Sequence, residues 1–82
     1  MSPREYILNE LQKEYSFKDG ADVDAINYIA EGYIDSIGLL QFIVELEGEY
    51  GIEFTDDDLS NPEFRIVGKL IALVEKKIAE NQ

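Results

Sequence analysis

Apolar side chains return at helical spacing in three stretches of this chain. Ile7, Leu8, Leu11 and Tyr15 fall on one stripe and predict a helix from Pro3 to about Tyr15. Ser2 is a favoured N-cap, Pro3 suits the first helical position, and Glu5 completes a Ser-x-x-Glu capping box. Asp19-Gly20 is a turn signal that stops any continuation. Leu39, Phe42, Ile43, Leu46 and Tyr50 mark the core face of a second helix, from Ser36 to Tyr50. Ile37, Leu40 and Val44 widen its apolar stripe, and Glu45, Glu47 and Glu49 take the wet side. Gly51 ends it, while Gly38 and Gly48 inside it each cost about 1 kcal/mol relative to alanine. Ile66, Val67, Leu70, Ile71, Val74 and Ile78 give the buried face of a last helix, from Glu63 or Phe64 to Glu80. Lys76 and Lys77 complement the dipole at its end.

The connections are less regular. Residues 16–35 hold Val23, Ile26, Tyr28, Ile29 and Ile34 among acids with no clean period. Those apolar residues pin the segment across the helices, and Val23 to Asn27 has room for a short helical turn. Ile52 and Phe54 read as an extended link. Thr55 and Asp58 resemble a capping box, opening a short helix at Asp56 to Ser60 that Asn61-Pro62 breaks. The expectation is one all-α domain over residues 1–82, a small bundle of three main helices plus one short helix.

Charge changes this picture more than composition does. The 82 residues carry a net charge of −11 and contain neither cysteine nor histidine. Between Asp19 and Glu63 there are 13 acids and no Lys or Arg; the other positions hold 5 acids and 7 bases. Such a field repels nucleic acid and acidic membranes and attracts basic patches on other proteins in a salt-sensitive way. The bland alternative is that the acids only maintain solubility. No apolar run approaches the ~20 residues needed to span a bilayer. "MSPREY" lacks the basic-then-apolar pattern of a signal peptide. A soluble, cytoplasmic, monomeric protein is expected.

Several ordinary activities are discounted by residue type. Ser-His and Cys-His nucleophile pairs and Cys- or His-built zinc sites need residues this chain lacks. The acidic stretches at 19–24 and 56–63 miss the calcium-loop pattern of alternating acids, central glycine and final Glu. No enzyme activity and no resident metal are expected. What remains is Asp35-Ser36 at the start of the second helix. One reading is structural: either residue caps the helix, with Ile34 packing on Leu39 as a hydrophobic staple. The other uses the free N–H groups and positive dipole end, which stabilise a phosphate placed there. A serine at that point can anchor a group through a phosphodiester, and that group could bring the thiol the chain lacks.

"GYIDSIGLLQFIVELEGEYGIEF" resembles the core motif of acyl and peptidyl carrier proteins, with Asp35-Ser36-Ile37 where Asp-Ser-Leu is expected. "VELEGEYGIEFTDDDL" is similar to that family's second-helix exit and short third helix, and "NPEFRIVGKLIALVEKK" to its last helix. The resemblance runs from Ile7 to Ile78. It implies a 4′-phosphopantetheine arm moved from coenzyme A onto Ser36 by a phosphopantetheinyl transferase, holding an acyl or aminoacyl group as a thioester. It implies that Asp35 caps the helix and helps the transferase dock, and that Ile37 belongs to the attachment motif. Ile37, Leu40 and Val44 would be apolar docking contacts, and Glu45, Glu47, Glu49, Asp56, Asp57 and Asp58 the acidic ones. The implied partners are the transferase and enzymes that load or transfer acyl or aminoacyl groups and carry basic docking patches. Leu46, Ile52, Phe54 and Ile66 would line the core, with any cargo pocket opening beside them.

The chain departs from fatty-acid synthesis carriers. Gly32 lies four before Ser36 rather than three, and Gly38 and Gln41 stand where that subgroup has acids. These features lean towards stand-alone carriers of specialised pathways or D-alanyl carriers. The competing reading is an unmodified acidic helical module that binds partners without an arm.

Overall fold

The computed structural model describes residues 2–81. Four α-helices occur among them: α1 (Pro3–Leu11), α2 (Ser36–Tyr50), α3 (Asp56–Ser60) and α4 (Val67–Glu80). Short 3₁₀ turns stand at Val23–Ala25 and Pro62–Arg65. Three main helices and one short one agree with the all-α expectation. The turn at Val23 and the bounds of α2 and α3 agree as well.

Two helix ends differ from the sequence pattern. α1 stops at Leu11, not Tyr15. The Gln12 N–H reaches back to both Leu8 and Asn9, and the Lys13 N–H to Glu10, so the last turn tightens. Gln12 also donates its side-chain amide to the Leu8 carbonyl and accepts from the Phe17 N–H, which turns the chain away. Tyr15 is therefore off the stripe and 60% exposed. α4 begins at Val67, not at Glu63 or Phe64. Ile66 is held extended by an isolated antiparallel bridge to Asn27. The Tyr28 N–H donates to Arg65 at 3.1 Å and the Val67 N–H to Ile26 at 2.9 Å.

That pairing organises the core. Tyr28 is fully buried, and its hydroxyl donates to the Phe64 carbonyl at 2.6 Å. Around it pack Ile7 and Leu11 of α1, Phe42 and Leu46 of α2, Ile52, and Val67, Leu70, Ile71 and Val74 of α4. Ile66 and Ile78, expected on the buried face of α4, are only half-buried. Gly68 lets α4 approach the Val23–Ala25 turn: a Cβ there would lie 2.9 Å from the Asp24 Cβ and 3.0 Å from its carbonyl oxygen.

Residues 27–34 form a hydrogen-bonded loop rather than loose chain. The Asn27 carboxamide accepts from the Ile29 and Ala30 N–H groups. The Tyr28 carbonyl accepts from those of Tyr33 and Ile34. Gly32 takes φ 81°, a left-handed turn that favours glycine. The loop thus ties the entrance of α2 to the buried Tyr28. At the far end of α2, Gly51 closes the helix at φ 63°, and its carbonyl accepts from the Asn81 side chain.

Candidate functional site

The start of α2 divides its labour between two neighbours. Asp35 is extended, and its carboxylate accepts the Gly38 N–H at 2.7 Å. Its carbonyl accepts the first helical bond, from Leu39, at 2.8 Å. Asp35 is therefore the N-cap. Ser36 is the first helical residue and is exposed, and its hydroxyl has no hydrogen-bond partner among the described residues. The Ser36 and Ile37 N–H groups, in the unpaired first turn of the helix, likewise meet no acceptor there. Gly38 fits under the cap: a Cβ would sit 3.1 Å from the Asp35 carboxylate and 3.3 Å from Ile34. Its close approach to Ile34 and Asp35 accounts for one of the two costly glycines; Gly48 has nothing within 4 Å.

A free hydroxyl at a 15-residue helix's positive end, beside two unengaged N–H donors, fits a phosphodiester. When bound, the arm would supply a terminal thiol that holds cargo as a thioester. The chain's own part would be to keep the hydroxyl exposed and to offer the fixed positive end of the helix to a phosphate.

Ser36, Leu40 and Val44 stand at i, i+4 and i+8 and form one ridge of α2. Ile37, Leu40 and Val44 are 72%, 67% and 67% exposed, so their side chains are displayed rather than packed. Glu45 and Glu49 lie farther down the helix and are exposed, as are Asp56 and Asp57 in the first turn of α3. Glu47 and Asp58 are placed differently. The Glu47 carboxylate accepts the Phe54 N–H at 2.9 Å and so pins the link after α2. Asp58 accepts the Thr55 N–H at 2.8 Å, completing the expected capping box, and pairs with Lys77 at 2.8 Å. Partial burial alone would push the Asp58 carboxyl up. Hydrogen bonds from Lys77 and Thr55 outweigh it and hold the group below the usual carboxylate range. Lys77 thus serves α3 as well as the α4 dipole, and it lies 5.8 Å from the centre of the Phe54 ring.

A cleft of about 320 Å³ opens beside Asp35 and Gly38, between the end of α1 and α2. Its walls include Glu14, Tyr15, Tyr33, Phe42 and Glu45. It lies away from Leu46, Ile52, Phe54 and Ile66, the residues expected to flank a cargo pocket. In that region Phe54 and Phe64 stack edge-to-face at 5.3 Å. The residues of the cleft come from segments far apart in sequence, and no local motif announces them. Among the described residues no helix is long and apolar enough to cross a membrane.

The family model described as a phosphopantetheine attachment site matches residues 5–74. The chain is 28% identical over 75 residues to the D-alanyl carrier protein of Lactococcus lactis subsp. cremoris (strain MG1363), covering 92% of this chain and 91% of that one. It is 31% identical, with the same coverage, to the D-alanyl carrier protein of Lactococcus lactis subsp. lactis (strain IL1403). It is 32% identical over 73 residues to the meromycolate extension acyl carrier protein of Mycobacterium tuberculosis (strain ATCC 25618 / H37Rv), covering 89% of this chain but only 52% of that longer one. These relatives are specialised carriers, in keeping with the departures from the fatty-acid pattern around Ser36. With this match across most of its length, the chain belongs to the phosphopantetheine-attachment family of acyl carrier proteins, which work through a covalently bound 4′-phosphopantetheine arm.

Proposed function

We propose that Ser36 is the attachment point of the arm and that the chain carries an acyl or aminoacyl group from one enzyme to the next. The observation that carries this reading is the division at the start of α2: Asp35 caps the helix and leaves the Ser36 hydroxyl exposed and unengaged. In the modifying step the Ser36 oxygen attacks the β-phosphorus of coenzyme A. The bond from that phosphorus to the bridging oxygen breaks, 3′,5′-adenosine diphosphate leaves, and the hydroxyl proton passes to a base on the transferase. Asp35 fixes the first turn, and the Ser36 and Ile37 N–H groups would be the donors that favour the phosphodiester's charge. The chain performs no bond chemistry on the cargo. A cytoplasmic monomer fits the lack of cysteine and the small size. Its docking contacts are Ile37, Leu40 and Val44 with the exposed acids Glu45, Glu49, Asp56 and Asp57. The names of the relatives support both aminoacyl and acyl cargo.

The test is direct. Apo-protein is incubated with coenzyme A, magnesium and a broad-specificity phosphopantetheinyl transferase, and its intact mass is taken. One added arm is expected, absent in Ser36→Ala. An unchanged mass, or an arm still present in Ser36→Ala, would refute the assignment.

A further inference from the structure

Two tracks leave the start of α2. Ser36, Leu40 and Val44 run down one side of the helix. Gly38, Gln41, Phe42 and Glu45 stand at i, i+3, i+4 and i+7 on another side and form one wall of the cleft of about 320 Å³. Ser36 is the first helical residue, so an arm fixed to it starts at the end of the helix, where both tracks begin. The ridge is a single exposed helix surface. The cleft is lined by three segments: α2, the exit of α1 with Glu14 and Tyr15, and the loop that carries Tyr33. Its α2 wall runs from Gly38 to Glu45, or about 10 Å by helical rise. Tyr15, largely exposed, and Tyr33, whose ring lies 5.0 Å from that of Phe17, give it aromatic walls. Four carboxylates and one ammonium line it, a net charge of −3. Lys13 is already paired with Glu10 at 3.0 Å. Glu10 first, and Glu45 after it, raise the Lys13 ammonium above its ordinary value, so the field of α2 reaches across to α1. Glu14 and Glu45 are exposed and pair with no cation among the described residues.

Resting on the assignment of Ser36 above, we infer that the loaded arm rests in this cleft, which takes an aminoacyl group with a free ammonium and turns away cargo that ends in a carboxylate. Tethering makes a weak site count. A group on a short flexible linker meets a neighbouring site at an effective concentration in the millimolar range, so contacts too weak to hold a free amino acid suffice for an attached one. The ammonium gains Glu14 and Glu45 as counter-charges and the rings of Tyr15 and Tyr33 as cation–π partners. A neutral acyl group of the same size gains only the rings. A terminal carboxylate meets like charge on both walls.

Arms of three charges test this. Coenzyme A analogues in which N–H replaces the sulfur let a broad-specificity transferase attach arms ending in alanyl, propionyl or malonyl amides, with coenzyme A itself as the control. The three terminal groups are close in size and are positive, neutral and negative. Backbone amide shifts, compared between arms so that the effect of attachment cancels, report where each one rests. The alanyl arm should shift Tyr15, Tyr33 and Glu45, with a cleft-bound population about three- to tenfold above that of the propionyl arm, and the malonyl arm should fall below both. High salt should narrow the gap. Glu14→Gln with Glu45→Gln should bring the alanyl arm down to the propionyl level and leave the propionyl arm unchanged. Both positions are exposed, and far-UV circular dichroism with thermal melts confirms that the variant is folded. Alanyl-specific shifts at Leu40 and Val44 in place of the cleft, equal occupancy by alanyl and malonyl arms, or an alanyl preference that survives the double substitution overturns the inference while the arm on Ser36 stands. A wild-type chain that accepts no arm, even from coenzyme A, overturns the assignment of Ser36 and this inference together.

Discussion

Lys77 of α4 reaches Asp58 of α3 at 2.8 Å, and both side chains are largely buried, 16% and 20% exposed. The same carboxylate caps the Thr55 N–H, so one side chain both starts α3 and fastens it to α4. Asp58→Ala is expected to cost about 1–3 kcal/mol, from the lost cap and an uncompensated Lys77. The sign with pH follows from the lowered carboxyl. A group whose folded pKa is depressed contributes fully above its unfolded value, about pH 4, and loses that contribution as pH falls through the folded value. Urea unfolding at neutral pH and in steps below about pH 4 should therefore show an acid-sensitive limb that is flatter in Asp58→Asn. An equally steep limb in Asp58→Asn would remove Asp58 from the explanation.

Asp35 and Ser36 can be separated by stability and modification. Ser36→Ala should leave the unfolding midpoint unchanged, because the hydroxyl holds nothing in the fold, yet abolish arm attachment. Asp35→Ala should cost about 1 kcal/mol through the lost cap, whereas Asp35→Asn keeps an acceptor for the Gly38 N–H and should cost less. Chemical unfolding paired with intact mass reads both effects. A Ser36→Ala variant as destabilised as Asp35→Ala would return Ser36 to a capping role.

These two residues also mark how far the sequence speaks. α2 begins and ends as its pattern predicts because Asp35 and Gly51 act locally, within one helical turn. The short α3 is equally legible, since Thr55 and Asp58 are three residues apart. The start of α4 is not. Phe64 and Ile66 continue the apolar spacing, but Asn27 draws Ile66 into an antiparallel bridge from 39 residues away. The acids show the same contrast at the site. The motif around Asp35-Ser36 is a local arrangement and can be read directly. Glu47 and Asp58 look like any other surface carboxylate until the fold brings Phe54 and Lys77 against them.

Two helical glycines that look alike in sequence should respond oppositely to alanine. Gly48 sits on the exposed side of α2, and a methyl group placed there would meet nothing within 4 Å. Gly48→Ala should therefore stabilise by about 0.5–1 kcal/mol. At Gly68 the new methyl would press on the Asp24 backbone and side chain, and relief requires moving the Val23–Ala25 turn. Gly68→Ala should destabilise by about 1–3 kcal/mol. Denaturant midpoints of the two single variants decide the matter. A stabilised Gly68→Ala would mean that α4 and this turn are not in close contact.

Tyr28 joins the core to the site, and removing one oxygen should reveal that link. Its hydroxyl is the partner of the buried Phe64 carbonyl, and its own carbonyl holds the Tyr33 and Ile34 N–H groups just before Asp35. Tyr28→Phe keeps the ring but leaves the Phe64 carbonyl without that donor, at a cost of about 1–3 kcal/mol. Burial raises the phenol well above the ordinary tyrosine range. A raised folded pKa gives stability that is complete below the unfolded value, about pH 10, and disappears as pH rises through the folded value. Wild type should thus lose stability above about pH 10 more steeply than Tyr28→Phe does. Amide exchange at Tyr33 and Ile34 should quicken in the variant if the loop before Ser36 depends on this anchor. Unchanged exchange alongside a lower midpoint would confine the role of Tyr28 to the core and leave the entrance of α2 standing on Asp35 alone.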